Sequence, residues 1–247
     1  MGRVIIDGDS YLYSASLACS ELVEISDGVY YESYVLNNAR MYLMNCIDSF
    51  CSRCNANDYV LVVASNSNNF RKLINPKYKT NRKKQKKPIM LDKVREMVFK
   101  EFNCAYIPYL ESDDVVRIMY EQGDNNYIVS IDKDLKTFPC TIYDTYHDTF
   151  SYVLPQQAEN VFKRQLLMGD TCDGYTGIKG IGKATADKLL LDGITIDDII
   201  QKYLDNDMTI EDFKRTYNCA KILGKDDYED GVIKLYGGET LDVRDKS

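Results

Sequence analysis

Residues 3–6, 59–64, 105–110 and 127–131 are short, mostly apolar runs, the pattern of strands buried on both faces. Between the first two, Val35, Leu36, Ala39, Tyr42, Leu43, Cys46, Ile47, Phe50 and Cys54 recur at three- and four-residue spacings, which places them on one face of a helix. Residues 113–122 predict another helix, opened by two aspartates whose charge suits the positive end of its dipole. This alternation predicts an α/β fold, a three-layer sandwich around a mostly parallel sheet. Beyond about Pro155 the period is helical, over 156–168, 183–191, 196–204 and 210–223, with 232–236 expected to return to the sheet as an edge strand. The chain therefore divides into an α/β part over 1–154 and a helical part over 155–247 packed on it. Residues 76–88, proline-bounded and densely basic, read as a surface loop.

The 247 residues, 45% hydrophobic and 28% charged, make one large or two small globular domains. No apolar run approaches the roughly 20 residues that cross a bilayer, and the N-terminus reaches Asp7 after three apolar residues, so neither a membrane span nor a signal peptide is expected. Eight irregularly spaced cysteines suit reduced thiols in a cytoplasmic protein. Cys51 and Cys54 have the spacing of half a zinc site with no second pair to complete it, so they read as core thiols. With His147 the one histidine, in a polar run, a serine or cysteine nucleophile with a histidine base is disfavoured.

Charge changes the picture more. The net charge is −7, yet residues 71–100 carry 12 Lys/Arg against 2 Asp/Glu, leaving −17 on the rest. A basic block on an acidic body can hold a polyanion while the acids hold cations. Arg71, Lys72, Lys79, Arg82 and Lys83 belong to that block and are candidate phosphate contacts.

The acids gather where open α/β sheets carry function, at the carboxyl ends of strands. Asp7 and Asp9 follow the first run; Glu111, Asp113 and Asp114 the third; Asp132 and Asp134 the fourth; Asp170 and Asp173 follow the helix over 156–168. Carboxylates brought together stay ionised only if a cation compensates, and oxygen donors select a hard divalent ion.

Residues 176–186, TGIKGIGKATA, nearly match a nucleotide-binding P-loop, but Ala184 stands where a hydroxyl must bind Mg²⁺ and a helix rather than a strand precedes it. Between two helices the segment fits a helix-hairpin-helix over about 166–191. Gly177, Gly180 and Gly182 permit the turn, its isoleucines anchor it, and exposed N–H groups near Lys179 and Lys183 can hold a DNA phosphate without reading bases.

In order along the chain stand IIDGD at 5–9, FRK at 70–72 with PKYKTNRK at 76–83, LESDDV at 110–115, SIDKDLKT at 130–137, GDTCDGY at 169–175 before the glycine loop, and AKIL at 220–223. On these motifs the sequence resembles the 5′-to-3′ exonucleases of the flap endonuclease superfamily, nearest the gene-six type of podoviral phages. The resemblance implies a PIN-like nuclease domain over 1–154, with a basic arch about 71–100, and a metal-dependent 5′-to-3′ exonuclease or flap endonuclease yielding 5′-phosphate products in replication or primer removal. It implies two Mg²⁺, replaceable by Mn²⁺, with Asp7, Glu111, Asp113 and Asp114 serving mainly the first and Asp132, Asp134, Asp170 and Asp173 the second, and K⁺ at the hairpin. Lys79 and Arg82 would act on the scissile phosphate, and Tyr78 would stack on a terminal base or serve packing. DNA with free 5′ ends or flaps is the implied partner, with RNA–DNA hybrids as an extension and the host cytoplasm as the location if phage-encoded. One departure is Asn66, where the family usually has Asp, which weakens the expected first metal site. Two rivals stand beside this reading. One is a haloacid-dehalogenase-type phosphatase, suggested by Asp7-Gly8-Asp9-Ser10; the other is a non-catalytic, structure-specific DNA-binding module.

Overall fold

The computed structural model describes residues 2–64, 68–80 and 87–244. Val4, Ile5 and Ile6 lie in strand β1 (Gly2–Asp7), which pairs in parallel with β4 (Ala56–Val62) on one side and β6 (Asn126–Val129) on the other. Outside β4 lies β5 (Cys104–Ala105), also parallel; outside β6 lie β7 (Cys140–Asp144), parallel, and β8 (Thr149–Val153), antiparallel at the edge. The sheet order is β5-β4-β1-β6-β7-β8.

Side chains alternate across a strand, and β1 divides accordingly. Val4 and Ile6 join a core with α1 (Gly8–Ala18), α2 (Leu36–Arg53) and α4 (Leu91–Glu101), while Ile5 joins the opposite one with α5 (Ser112–Glu121) and Phe70 of α3 (Phe70–Ile74). A sheet covered on both faces is the three-layer arrangement expected. A third core lies under α6 (Pro155–Met168), α7 (Lys183–Leu191), α8 (Ile196–Asp205) and α9 (Ile210–Ala220), around Leu166, Ile199, Tyr203 and Phe213, and it takes in Tyr78 from the N-terminal part.

Several expectations need correction. The strand over 105–110 stops at Ala105, because Pro108 cannot donate to a ladder and Tyr109 turns to a φ of 67°. The segment 232–236 does not return to the sheet: β12 (Val232–Lys234) pairs with β11 (Tyr228–Glu229) and β13 (Thr240–Asp242) in a separate sheet, with Ile233 sealed into the second core. The last helix ends at Ala220 because Lys221 is extended. Of the stretch 71–100 expected to form an arch, α3 is packed against the core and α4 buries Val94, Met97 and Val98, and residues 81–86 lie outside the described residues. The sequence reading had no place for α1, α4, the hairpin of β2 (Ser20–Ser26) and β3 (Val29–Tyr34), or that of β7 and β8. No described helix is long and apolar enough to cross a membrane.

Candidate metal and nucleic-acid site

The parallel strands β1 and β6 end side by side, and their first polar residues are tied together. Ser130 Oγ donates to Asp7 Oδ2 at 2.9 Å and accepts from Asp132 N at 2.9 Å, and Asp134 N donates to Asp132 Oδ1 at 2.8 Å. Gly8 lets α1 start against β4, since a Cβ there would stand 2.6 Å from Val62 O, and Asp9 then accepts from Ala64 N. Glu111 caps α5, bringing Ser112 and Asp113 to the same place. From the C-terminal part, Asp170 accepts from the amides of Cys172 and Asp173, and Asp173 O accepts from Lys79 N at 2.8 Å.

Asp7, Asp9, Glu111, Asp113, Asp132, Asp134 and Asp173 thus line one pocket of about 230 Å³, with Lys79 as its cation. Burial, then Asp9, push the Asp7 carboxyl up to about 7. Burial, with Asp7 and Asp132, holds Asp113 well above the usual range, and burial with Asp132 brings Asp134 to about 6. Glu111 goes the other way: burial alone would raise it, but Arg71 and Lys79 outweigh that and lower it. These oxygens resist sharing negative charge, so added positive charge is stabilised here, and an all-oxygen donor set suits a hard divalent cation. Among the described residues no three of these groups close into a ready cage; they ring a space, which suits an ion that keeps several waters.

Not every candidate reaches the pocket. Asp114 is 0% exposed and faces away from it: its carboxylate takes both Nη atoms of Arg71, at 2.7 and 2.8 Å, and the amides of Glu111 and Leu223. Arg71, 2% exposed, also donates to the carbonyls of Cys219 and Lys221, so it cannot meet DNA. Tyr78, equally buried, donates to Glu111 and Asp173 and packs on Tyr175, which rules out base stacking. Asp170 stands in an adjoining wall and orients the loop that carries Asp173. Lys79 reaches Glu111 at 2.5 Å and Asp173 at 3.5 Å, while Lys72 is exposed. Asn66, Arg82 and Lys83 lie outside the described residues. Sequence reasoning missed Ser130 and Ser112, whose only signal is a hydroxyl beside each acidic motif.

The glycine loop is built by close approach. Ile178 N donates to Leu167 O at 2.8 Å, and a Cβ on Gly177 would lie 2.3–2.4 Å from backbone atoms of Leu167, Met168 and Gly169. Gly180 has a φ of 83°. Ile178 is buried, whereas Lys179, Gly180, Gly182 and Lys183 are exposed at the start of α7. Gly177→Ala should therefore destabilise the protein by about 1–3 kcal/mol through overpacking, measured by urea unfolding, and weaken duplex binding. An unchanged unfolding midpoint would contradict the contact.

The sequence profile of the family described as the 5′-3′ exonuclease N-terminal resolvase-like domain matches residues 3–161. An exodeoxyribonuclease of Enterobacteria phage T3 is 31% identical over 211 residues, covering 80% of this chain and 69% of that one. An exonuclease of Escherichia phage T7 is 31% identical over 201 residues, covering 76% and 66%. The flap endonuclease of bacteriophage T5, solved in a pseudo-enzyme-product complex with DNA and metal ions, superposes with a TM-score of 0.65 at 18% identity, over 90% of this chain and 89% of that one; at that identity the likeness is one of fold.

Proposed function

The chain belongs to the 5′-3′ exonuclease family and is a nuclease of that class, and from that premise we propose that it hydrolyses DNA phosphodiesters near a free 5′ end or flap, with divalent cations in the acidic pocket and 5′-phosphorylated products. The observation that carries this reading is the convergence of seven carboxylates and Lys79 on one pocket. Asp7, Glu111 and Asp113 would hold one Mg²⁺, and Asp132, Asp134 and Asp173 a second, with Mn²⁺ as a substitute. Bound there, the ions lower the pKa of water and stabilise the charge that develops on the phosphate oxygens.

The protein's own groups do the rest. Ser130 holds Asp7 and the chain of Asp132 in register. Asp170 holds the turn carrying Asp173. Lys79, hydrogen-bonded to Glu111, is the cation that meets the scissile phosphate, and Arg82 would assist from the adjoining basic segment. The glycine loop before α7 forms a helix-hairpin-helix with α6 and grips the duplex backbone, with K⁺ as a further ligand. A backbone-directed grip does not depend on base identity, so the reading extends to RNA–DNA hybrids.

The test is a cleavage time course on a 5′-flapped duplex labelled at either end. Release of short 5′-phosphorylated products with Mg²⁺, and none with EDTA, is expected. Binding without cleavage in both Mg²⁺ and Mn²⁺ would overturn the catalytic reading in favour of a DNA-binding module.

A further inference from the structure

Asp9 lines the acidic pocket, yet neither cation in the nuclease reading uses it. It stands in the first turn of α1, where the helix dipole favours a carboxylate, and its side chain is 42% exposed. Behind it lies Arg95 of α4, whose side chain is 11% exposed and is not among those lining the pocket. Arg95 Nη1 lies 3.9 Å from Asp9 Oδ1, its one ion pair among the described residues, and its Nε is buried with no hydrogen-bond partner among them. The guanidinium packs over the Phe99 ring, 5.6 Å from the centroid. Burying a guanidinium against a single long ion pair is costly, and an unmatched buried donor calls for a reason beyond packing.

The contacts of Asp9 supply that reason. Ala64 N, at 3.2 Å, and Arg95 both act on Oδ1. The carboxylate is thereby fixed at one end, from the chain leaving β4 and from α4, and Oδ2 is left to serve the pocket. Its electrostatic neighbours in the pocket are Asp7 and Glu111, and the Ser112 hydroxyl favours the charged form of both Asp7 and Asp9. Asp134, by contrast, feels Asp132, Asp170 and Asp173. Asp9 therefore belongs with the acids of the first cation, and Glu111 among them is likewise backed by a buried arginine, with Arg71 Nη1 at 3.3 Å. We propose that Arg95 is a positioning residue, which holds Asp9 against the pocket as a further carboxylate for the divalent cation beside Asp7 and Glu111. The contact is single and longer than a hydrogen bond, so the charge of Arg95 matters here more than its forked geometry. The inference rests on the cation site of the nuclease reading and adds to it one carboxylate and the residue that holds it.

The test is a double-mutant cycle on the full-length protein: Asp9→Asn, Arg95→Gln and the two together, with Arg95→Lys as the conservative change. Mn²⁺ is titrated without DNA and the free ion followed by its electron paramagnetic resonance, and cleavage of a 5′-flapped duplex is measured across a Mg²⁺ series. Asp9→Asn and Arg95→Gln should each weaken one Mn²⁺ by roughly tenfold, a usual cost of losing a group that orients a ligand. The double variant should be no weaker than Asp9→Asn alone, because both changes act through one carboxylate, and Arg95→Lys should keep most of the affinity. The Mg²⁺ needed for half-maximal cleavage should rise in step, with kcat at saturating Mg²⁺ largely kept. Mn²⁺ affinity unchanged by Asp9→Asn would overturn the proposal, as would equal losses from Arg95→Gln with and without Asp9, which would leave Arg95 an interior ion pair joining α1 and α4. So would a shallower salt slope of duplex binding in EDTA with Mn²⁺ affinity unchanged, which would make Arg95 a phosphate contact. A parent that binds Mn²⁺ but leaves the flap intact overturns the nuclease reading alone; one that binds no Mn²⁺ overturns both.

Discussion

Asp132→Asn is expected to reduce cleavage of a 5′-flapped duplex by about 10³-fold or more, in line with losing a group that stabilises transition-state charge, while affinity for the duplex in EDTA stays within about threefold. Asp132 is the hub of the acidic pocket. Its Oδ1 accepts from Asp134 N, and its own amide donates to the Ser130 hydroxyl that also holds Asp7. Its charge contributes to the raised carboxyls of Asp7, Asp113 and Asp134. Asparagine keeps the shape and the accepting oxygen, so the loop geometry survives; what goes is one negative charge among several. The metal-free variant should therefore unfold at the same temperature as the parent or a higher one, because repulsion among buried carboxylates is relieved. That combination, lost turnover with undiminished stability, separates a functional acid from a structural one. A lower melting temperature, or turnover near the parent's, would contradict the assignment.

How much of this was legible in the sequence depends on whether the signal was local. Val4 to Ile6 and the acids that follow are readable because a buried parallel strand is a continuous apolar run and its carboxyl end faces the site. Lys183–Leu191 is likewise a helix with the limits its period gives. The hairpin of β2 and β3 was not, since Ile25, Val29, Tyr30 and Tyr31 are exposed and carry no pattern of inside and outside. Nor could sequence assign Arg71. It sits in a basic block and invites a phosphate, but its partner lies 43 residues away in Asp114, and charge does not reveal burial. Asp113 and Asp114 were separable in principle: neighbours on a helix point about 100° apart, so both cannot face one pocket. Tyr78 was open between base and packing, and the third core settles it.

Arg71→Ala should be the most destabilising single change considered, by about 3–5 kcal/mol, the usual loss on breaking a buried ion pair. For a domain of this size that lowers the melting temperature by roughly 10 °C. All three guanidinium nitrogens are engaged: Nη1 and Nη2 on Asp114, Nε on Cys219 O at 3.0 Å, and Nη2 on Lys221 O at 2.6 Å. Removing the side chain leaves the Asp114 charge buried with only two amides to hold it, leaves two carbonyls unmatched, and parts α3 and α5 from the chain that leaves α9. Arg71→Lys cannot form the two-pronged bond and should recover only part of the loss. Replacing both partners, Arg71→Met with Asp114→Leu, should be more stable than Arg71→Ala alone, because no buried charge is stranded. Function should follow through Glu111, whose Oε2 lies 3.3 Å from Arg71 Nη1. In Arg71→Lys the Mg²⁺ concentration for half-maximal cleavage should rise while the salt dependence of DNA binding stays that of the parent. A shallower salt slope would restore Arg71 as a phosphate contact, and its burial under α9 makes that outcome incompatible with the fold described.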